Sequence, residues 1–110
     1  MHDTAQFDLT TLQQSAGRAA ALLRLLGNEH RLLILCQLAD GELSVSQLQT
    51  RVGLSQSALS QHLARMREQG LLATRREAQM IHYRILDPAA LRVIATLAEL
   101  FCPPESGASK

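Results

Sequence analysis

Between Ser44 and Arg67 the apolar positions recur at helical spacing in two short runs, broken once at Gly53. In the first run Ser44 and Gln47 have the Ser-x-x-Gln spacing of a capping box, and Leu43 with Leu48 has the spacing of a hydrophobic staple. In the second, Ser55 stands where an N-cap is needed, Leu54 pairs with Leu59, and Leu59, Leu63 and Met66 recur as one apolar stripe. At roughly 100° per residue the opposite face carries Ser57, Ser60, Gln61, Ala64 and Arg65. A polar outer face alone is what any solvated amphipathic helix shows. Two capped helices around one Gly, followed by a basic hairpin, predict a helix-turn-helix whose second helix enters a major groove with hydroxyls, an amide and a guanidinium.

The flanking patterns complete the plan. Residues 1–8 are polar and expected to fray. From Leu9 the apolar positions run Leu9, Leu12, Ala16, Ala19, Leu23 and Leu26, steps of three and four like a coiled-coil seam. Gly27 is placed to end that helix and Asn28 to cap the next, a core helix apolar at Leu32, Leu33, Leu35, Cys36 and Leu38. Asp40-Gly41 turns the chain into the helix-turn-helix. After Gly70 the period changes: Ile81, Tyr83 and Ile85 alternate with His82 and Arg84, which predicts a two-stranded hairpin. Its tip near Glu77 to Gln79 lacks the Asn-Gly or Asp-Gly that would name the turn. Arg75 and Arg76 flank that tip, where cations lie along phosphates, although charge also guards a hairpin edge against unwanted pairing.

The last helix opens with Asp87-Pro88 as N-cap and first helical residue, with Leu86 and Leu91 as a staple. Its body is polar only at Arg92, Thr96 and Glu99, on one narrow stripe, so it is expected to be buried on two sides, by its own domain and by a second subunit. A charge at Ile94 or Leu97 is then expected to break the dimer. Pro103-Pro104 ends the helix. The fold class is mainly α with a two-stranded β wing, a winged helix-turn-helix. Residues 1–110 form one DNA-binding domain with dimerisation helices at its N- and C-terminal ends.

Composition narrows the partners. No apolar run approaches the ~20 residues of a membrane span, and the N-terminus has no basic segment leading into an apolar one, so a cytoplasmic protein with no membrane partner is expected. The formal net charge is only +1, but residues 55–84 hold five Arg against two Glu, a net +3, which leaves −2 for the rest. Basic charge is thus concentrated on the predicted reading head.

Three stretches, LLGNEHRLLIL, SQSALSQHLARMREQGLL and IHYRI, together resemble the ArsR/SmtB family of bacterial winged-helix repressors over Leu25 to Cys102. The resemblance implies a homodimer paired by its first and last helices, bound to double-stranded DNA at an inverted-repeat operator and released by an inducer. Ser55, Gln56, Ser57, Ser60, Gln61, Arg65, Arg75 and Arg76 are the expected DNA-binding residues.

The family's metal sites do not carry over. The Cys-Val-Cys motif of some members is Ser44-Val45-Ser46 here, and serine is a poor ligand for soft metals. Of the family's Asp/His/His/Glu zinc site only Asp87 remains, with Ala89, Leu100 and Pro103 at the other positions, and Asp87 is better explained as a helix cap. His2, His30, His62 and His82 have no Cys or His partner at zinc spacing. No metal and no cofactor are expected.

Cys36 and Cys102, the only two cysteines, are placed like those of a family branch that responds to persulfides and other oxidants. That similarity implies a redox switch, joined by a disulfide or a longer sulfur link. From composition alone buried cysteine is more often filler. Neither thiol is activated locally, since an apolar helix and a helix C-terminus both disfavour thiolate. The alternatives are the same fold with a metal or small-molecule inducer, or none, and, remotely, a thiol redox enzyme using Cys36. The enzyme lacks a Cys-x-x-Cys motif and an evident base and leaves the reading helix unexplained, so no enzymatic activity is expected.

Overall fold

A computed structural model of the chain describes residues 8–101. Residues 1–7, His2 among them, as well as Cys102 and Pro103-Pro104, lie outside the described residues. The elements follow as α1 (Leu9–Leu26), α2 (Glu29–Leu38), β1 (Leu43–Ser44), α3 (Val45–Val52), α4 (Gln56–Glu68), β2 (Leu72–Glu77), β3 (Met80–Ile85) and α5 (Pro88–Phe101).

Local chemistry sets most of these boundaries. The Asp8 carboxylate opens α1, accepting from the Thr10 N–H at 3.2 Å and the Thr11 hydroxyl at 2.7 Å. Asn28 caps α2 by accepting from the Arg31 N–H at 3.0 Å. The Ser44–Gln47 capping box is complete, with the Gln47 N–H donating to Ser44 Oγ at 3.2 Å and the Ser44 N–H to Gln47 Oε1 at 2.9 Å. Gly53 ends α3 in the left-handed region at φ 72°, where a side chain would be strained. Gly27 does not take that conformation, with φ −80°. The last carbonyls of α1 are met instead by Arg31, whose Nε donates to the Leu25 carbonyl and Nη2 to the Arg24 carbonyl at 3.3 Å. Asp87 opens α5, accepting from the Ala89 N–H at 2.9 Å.

The sheet has three antiparallel strands in the order β1-β3-β2, not the expected two. The hairpin is present, with Arg75 opposite His82 and Glu77 opposite Met80, and its turn puts Ala78 at φ 58°. The extra strand is only Leu43–Ser44, paired with Tyr83 and His82. The Ser44 cap is therefore also a strand end, 2% exposed, which fixes where α3 begins relative to the sheet.

The core gathers Leu25 and Leu26 of α1, Ile34, Leu35 and Leu38 of α2, Leu48 of α3, Leu59, Leu63 and Met66 of α4, Leu71 and Leu72 at the hairpin root, and Ala90 and Ile94 of α5. Three expectations change. In α2 the buried face is Ile34, Leu35 and Leu38, whereas Leu33 is 44% exposed. The Leu86–Leu91 staple does not bury its members, which are 52% and 38% exposed. Ile94, expected to face a second subunit, is fully buried in its own chain's core. Further exposed large apolar side chains are Leu9, Leu12 and Leu23 of α1, Met80 of β3, and Leu100 and Phe101 of α5, the last two 67% and 75% exposed.

These burials separate packing within the chain from packing beyond it. Ile94→Asp places an unpaired charge in the core and is expected to cost more than ~4 kcal/mol, leaving no cooperative thermal transition by circular dichroism. Leu100→Glu is expected to keep a cooperative transition, because that side chain meets solvent in the single chain.

Candidate nucleic-acid interface

The buried stripe of α4 fixes its rotation. Leu59, Leu63 and Met66 are at most 1% exposed, so Ser55, Gln56, Ser57, Ser60, Gln61, Ala64 and Arg65 all stand outward. Ser57, Ser60, Gln61, Ala64 and Arg65, on which the sequence places the expected reading face, are thus exposed on one side of one helix. Ser55 has a second task there, since its Oγ accepts from the Ala58 N–H at 3.1 Å and holds the first turn closed. Further along the helix Ser57, Ser60, Gln61 and Arg65 are exposed.

The hairpin packs against α4 through β2. Its two neighbouring arginines, Arg75 and Arg76 of β2, are both exposed but differ in their surroundings. Arg75 Nε lies 3.1 and 3.2 Å from the two carboxylate oxygens of Glu42, Nη2 lies 2.7 Å from Glu42 Oε1, and Nη1 donates to Glu77 Oε1 at 3.2 Å. These hydrogen bonds hold the Glu42 carboxyl below the usual glutamate range. Glu77 also lies 3.8 Å from His82 Nε2. Among the described residues Arg76 forms no ion pair.

Behind the reading helix the fold brings His30 and His62 together, their ring centroids 5.9 Å apart and tilted by 44°. Spacing in sequence hid this pair because its members sit on different helices. His62, half-buried, has its pKa lowered, first by burial and then by the positive charge of Arg31 and by His30. Among the described residues no group of three or more His, Cys, Asp or Glu gathers where a metal could sit.

Cys36 is half-buried and lines an apolar cavity of about 460 Å³ between α2 and the end of α5. Leu32 and Leu33 form one wall, and Leu97, Ala98 and Phe101 the other. Cys102, the second expected switch residue, lies outside the described residues, next in sequence after Phe101. Among the described residues no helix is long and apolar enough to cross a membrane.

Residues 28–74 match the family of bacterial regulatory proteins described as the arsR family. The chain is 45% identical over 98 residues to the transcriptional activator HlyU of Vibrio cholerae, covering 89% of this chain and 91% of that protein. The structure of reduced HlyU from Vibrio cholerae superposes with a TM-score of 0.80 at 46% identity, over 84% of this chain and 97% of that one. The structure of the transcriptional repressor BigR from Xylella fastidiosa gives a TM-score of 0.81 at 34% identity, over 87% of this chain and 98% of that one.

The His62 environment has a pH signature. Its folded pKa lies below its unfolded one, so the unfolded chain binds more protons in that window, and stability falls as pH drops from about 6.5 toward the folded value. Urea unfolding of His62→Gln between pH 7.5 and 5.5 is expected to lose part of this acid sensitivity. An unchanged slope would assign the sensitivity to other groups.

Proposed function

The chain belongs to the arsR family of bacterial regulatory proteins, and from that premise we propose that it is a dimeric repressor released from its operator by oxidation or persulfidation of Cys36 and Cys102. The observation that carries the DNA-reading part is the single outward face of α4, held in register by a buried stripe and two capped helix starts. In this assignment α4 enters the major groove, Gln61 with Ser57, Ser60 and Arg65 reads bases, and Ser55, Gln56 and Arg76 follow the backbone. The protein acts in the cytoplasm, and no catalytic turnover is assigned to it.

The dimer is supported by the apolar surface that one chain leaves uncovered. Leu9, Leu12 and Leu23 on the first helix and Leu100 and Phe101 on the last are exposed large side chains on the two terminal helices. Leu100→Glu, folded by the measure above, is expected to sediment as a monomer and to lose operator binding.

The switch is supported by the position of Cys36. It faces a cavity whose far wall ends at Phe101, so a bond from Cys36 to Cys102 ties α2 to the end of α5. With peroxide, two thiols become a disulfide and the peroxide becomes two waters. With a persulfide, one thiolate takes the outer sulfur and releases a thiol, and the second cysteine then displaces hydrogen sulfide to close the disulfide. Further sulfur transfer lengthens the link, which intact mass reads directly. Tying α5 to α2 changes the angle between two heads that must meet grooves about 34 Å apart.

Variants of the reading face and of the switch test the proposal. Gln61→Ala is expected to lose about 1 to 3 kcal/mol of discrimination between operator and unrelated DNA. Arg76→Ala is expected to weaken both alike and to flatten the salt dependence by about one unit. Retained preference in Gln61→Ala would move the reading face elsewhere. For the switch, operator affinity is measured by anisotropy for reduced, oxidised and re-reduced protein. Oxidation is expected to lower affinity by roughly 5- to 150-fold and a thiol reductant to restore it. Cys36→Ser and Cys102→Ser are expected to stay bound under oxidant. Equal affinity of reduced and fully oxidised protein would leave the cysteines as packing residues.

A further inference from the structure

The outer face of the small sheet carries a row of charges that the DNA-reading assignment does not use. Strand register sets Arg75 opposite His82 and Glu77 opposite Met80, while on the other side of β3 Ser44 also lies opposite His82. Alternation along β1 then puts Glu42, just before the strand, on the same face as His82 and Arg84, with buried Leu43 pointing the other way. Glu42, Arg84, His82, Arg75 and Glu77 therefore form a strip of two acids, two arginines and a histidine across all three strands. At its centre the Arg75 guanidinium is engaged by Glu42 through Nε and Nη2 and by Glu77 through Nη1.

We propose that Glu42 and Arg75 form a clip that sets the pitch of the β2–β3 hairpin against the loop leading into α3, and that Arg75 is a positioning residue for operator binding. This rests on the assignment of the hairpin to the DNA backbone. Glu42 belongs to the segment that delivers α3, whereas Arg75 lies midway along β2, 33 residues later. Their bond spans the width of the sheet, where the backbone tie through β1 is only two residues long.

Three physical points favour a clip over a phosphate ligand. Moving Arg75 onto a phosphate would leave Glu42 and Glu77 beside a polyanion with their shared cation removed, so one new attraction would set two carboxylates against like charge. The pairing with Glu42 is two-pronged and fixed in geometry, the kind of surface ion pair that keeps its value where single contacts are lost to solvent. The lever is also long, because a hairpin of this length reaches roughly 15 Å beyond its root, and a tilt of about 10° there displaces the tip by about 3 Å, the span of a hydrogen bond. An arginine at mid-strand therefore controls where Arg76 lands without touching DNA itself.

Charge exchange tests the clip. Operator affinity and its salt dependence are measured by anisotropy for Glu42→Gln, Arg75→Gln, the double Gln variant, and the exchanged pair Glu42→Arg with Arg75→Glu. Each single variant is expected to bind about fivefold more weakly with an unchanged salt slope, the double variant no worse than either, and the exchanged pair within about twofold of the parent. Amide hydrogen exchange across β2 and β3 is expected to speed up in the single variants and slow again in the exchanged pair. A salt slope lowered by about one unit in Arg75→Gln, or tighter binding by Glu42→Gln, would overturn the proposal, because Arg75 would then be a phosphate ligand for which Glu42 competes. Loss of binding in the exchanged pair would overturn it too. If Arg76→Ala leaves affinity and slope untouched, the hairpin assignment itself fails and the operator role of the clip falls with it. The amide exchange of the exchanged pair separates that outcome from failure of the clip.

Discussion

Burial of Leu59, Leu63 and Met66 on one side of α4 is the constraint on which the rest of this molecule depends. A helix whose inner stripe is closed off has no rotational freedom, so the outer residues are aimed by the core and not by their own interactions. The same burial joins α4 to Leu48 of α3, Ile34 and Leu35 of α2 and Ile94 of α5, and the three-stranded sheet closes the group through Leu71 and Leu72. The proposed recognition by short side chains such as Ser57, Ser60 and Gln61 requires this, because short side chains cannot correct for a misplaced backbone.

What was legible in the sequence was what chemistry decides within one helical turn. The Ser44–Gln47 capping box, the Ser55 and Asn28 caps, the break at Gly53 and the i, i+4, i+7 stripe of α4 all rest on neighbours three or four residues apart, and the structure contains each of them. What was hidden needed a distant partner. Leu43–Ser44 is a strand only because β3 lies beside it, and nothing in two residues announces that. In Leu32–Leu35 every position is apolar, so periodicity leaves the buried face open, and the shared core takes Ile34 while Leu33 stays exposed. Gly27 ends α1 as its C-cap, but the side chain of Arg31, from the next helix, which meets the carbonyls there, was hidden. Ile94 was read as interface because the α5 pattern is apolar on most sides, and a single chain's pattern does not say which apolar side its own core takes.

For the candidate site the same division holds. The reading face of α4 was visible as a pattern, but the electrostatics of the hairpin were not. Counting five Arg against two Glu over residues 55–84 treats Arg75 as a free cation, while the carboxylate that holds it, Glu42, lies outside that window. The His30–His62 contact escaped for a related reason, since proximity in space was judged from spacing along the chain. Cys36 was visible as a residue type, but not the apolar cavity in front of it, built from α2 on one side and α5 on the other.

Arg75's engagement changes how the proposed regulator has to work. With that charge already held, each head offers a smaller cationic surface than its arginine count implies, and the nonspecific, salt-sensitive part of its affinity falls accordingly. A head that grips phosphate weakly cannot stay on an operator alone. In the proposed dimer, occupancy then depends on two heads binding together, where the second head docks at the high effective concentration that pairing provides. That advantage is lost when the heads no longer span the two grooves, so control passes from the reading face to the helices that set the distance between the heads. The exposed leucines of α1 and α5 and the cavity beside Cys36 lie on those helices and not on the reading face. Under the proposed function, a weak head on a rigid dimer is the arrangement in which a change at Cys36, on a different helix from Gln61, suffices to release DNA.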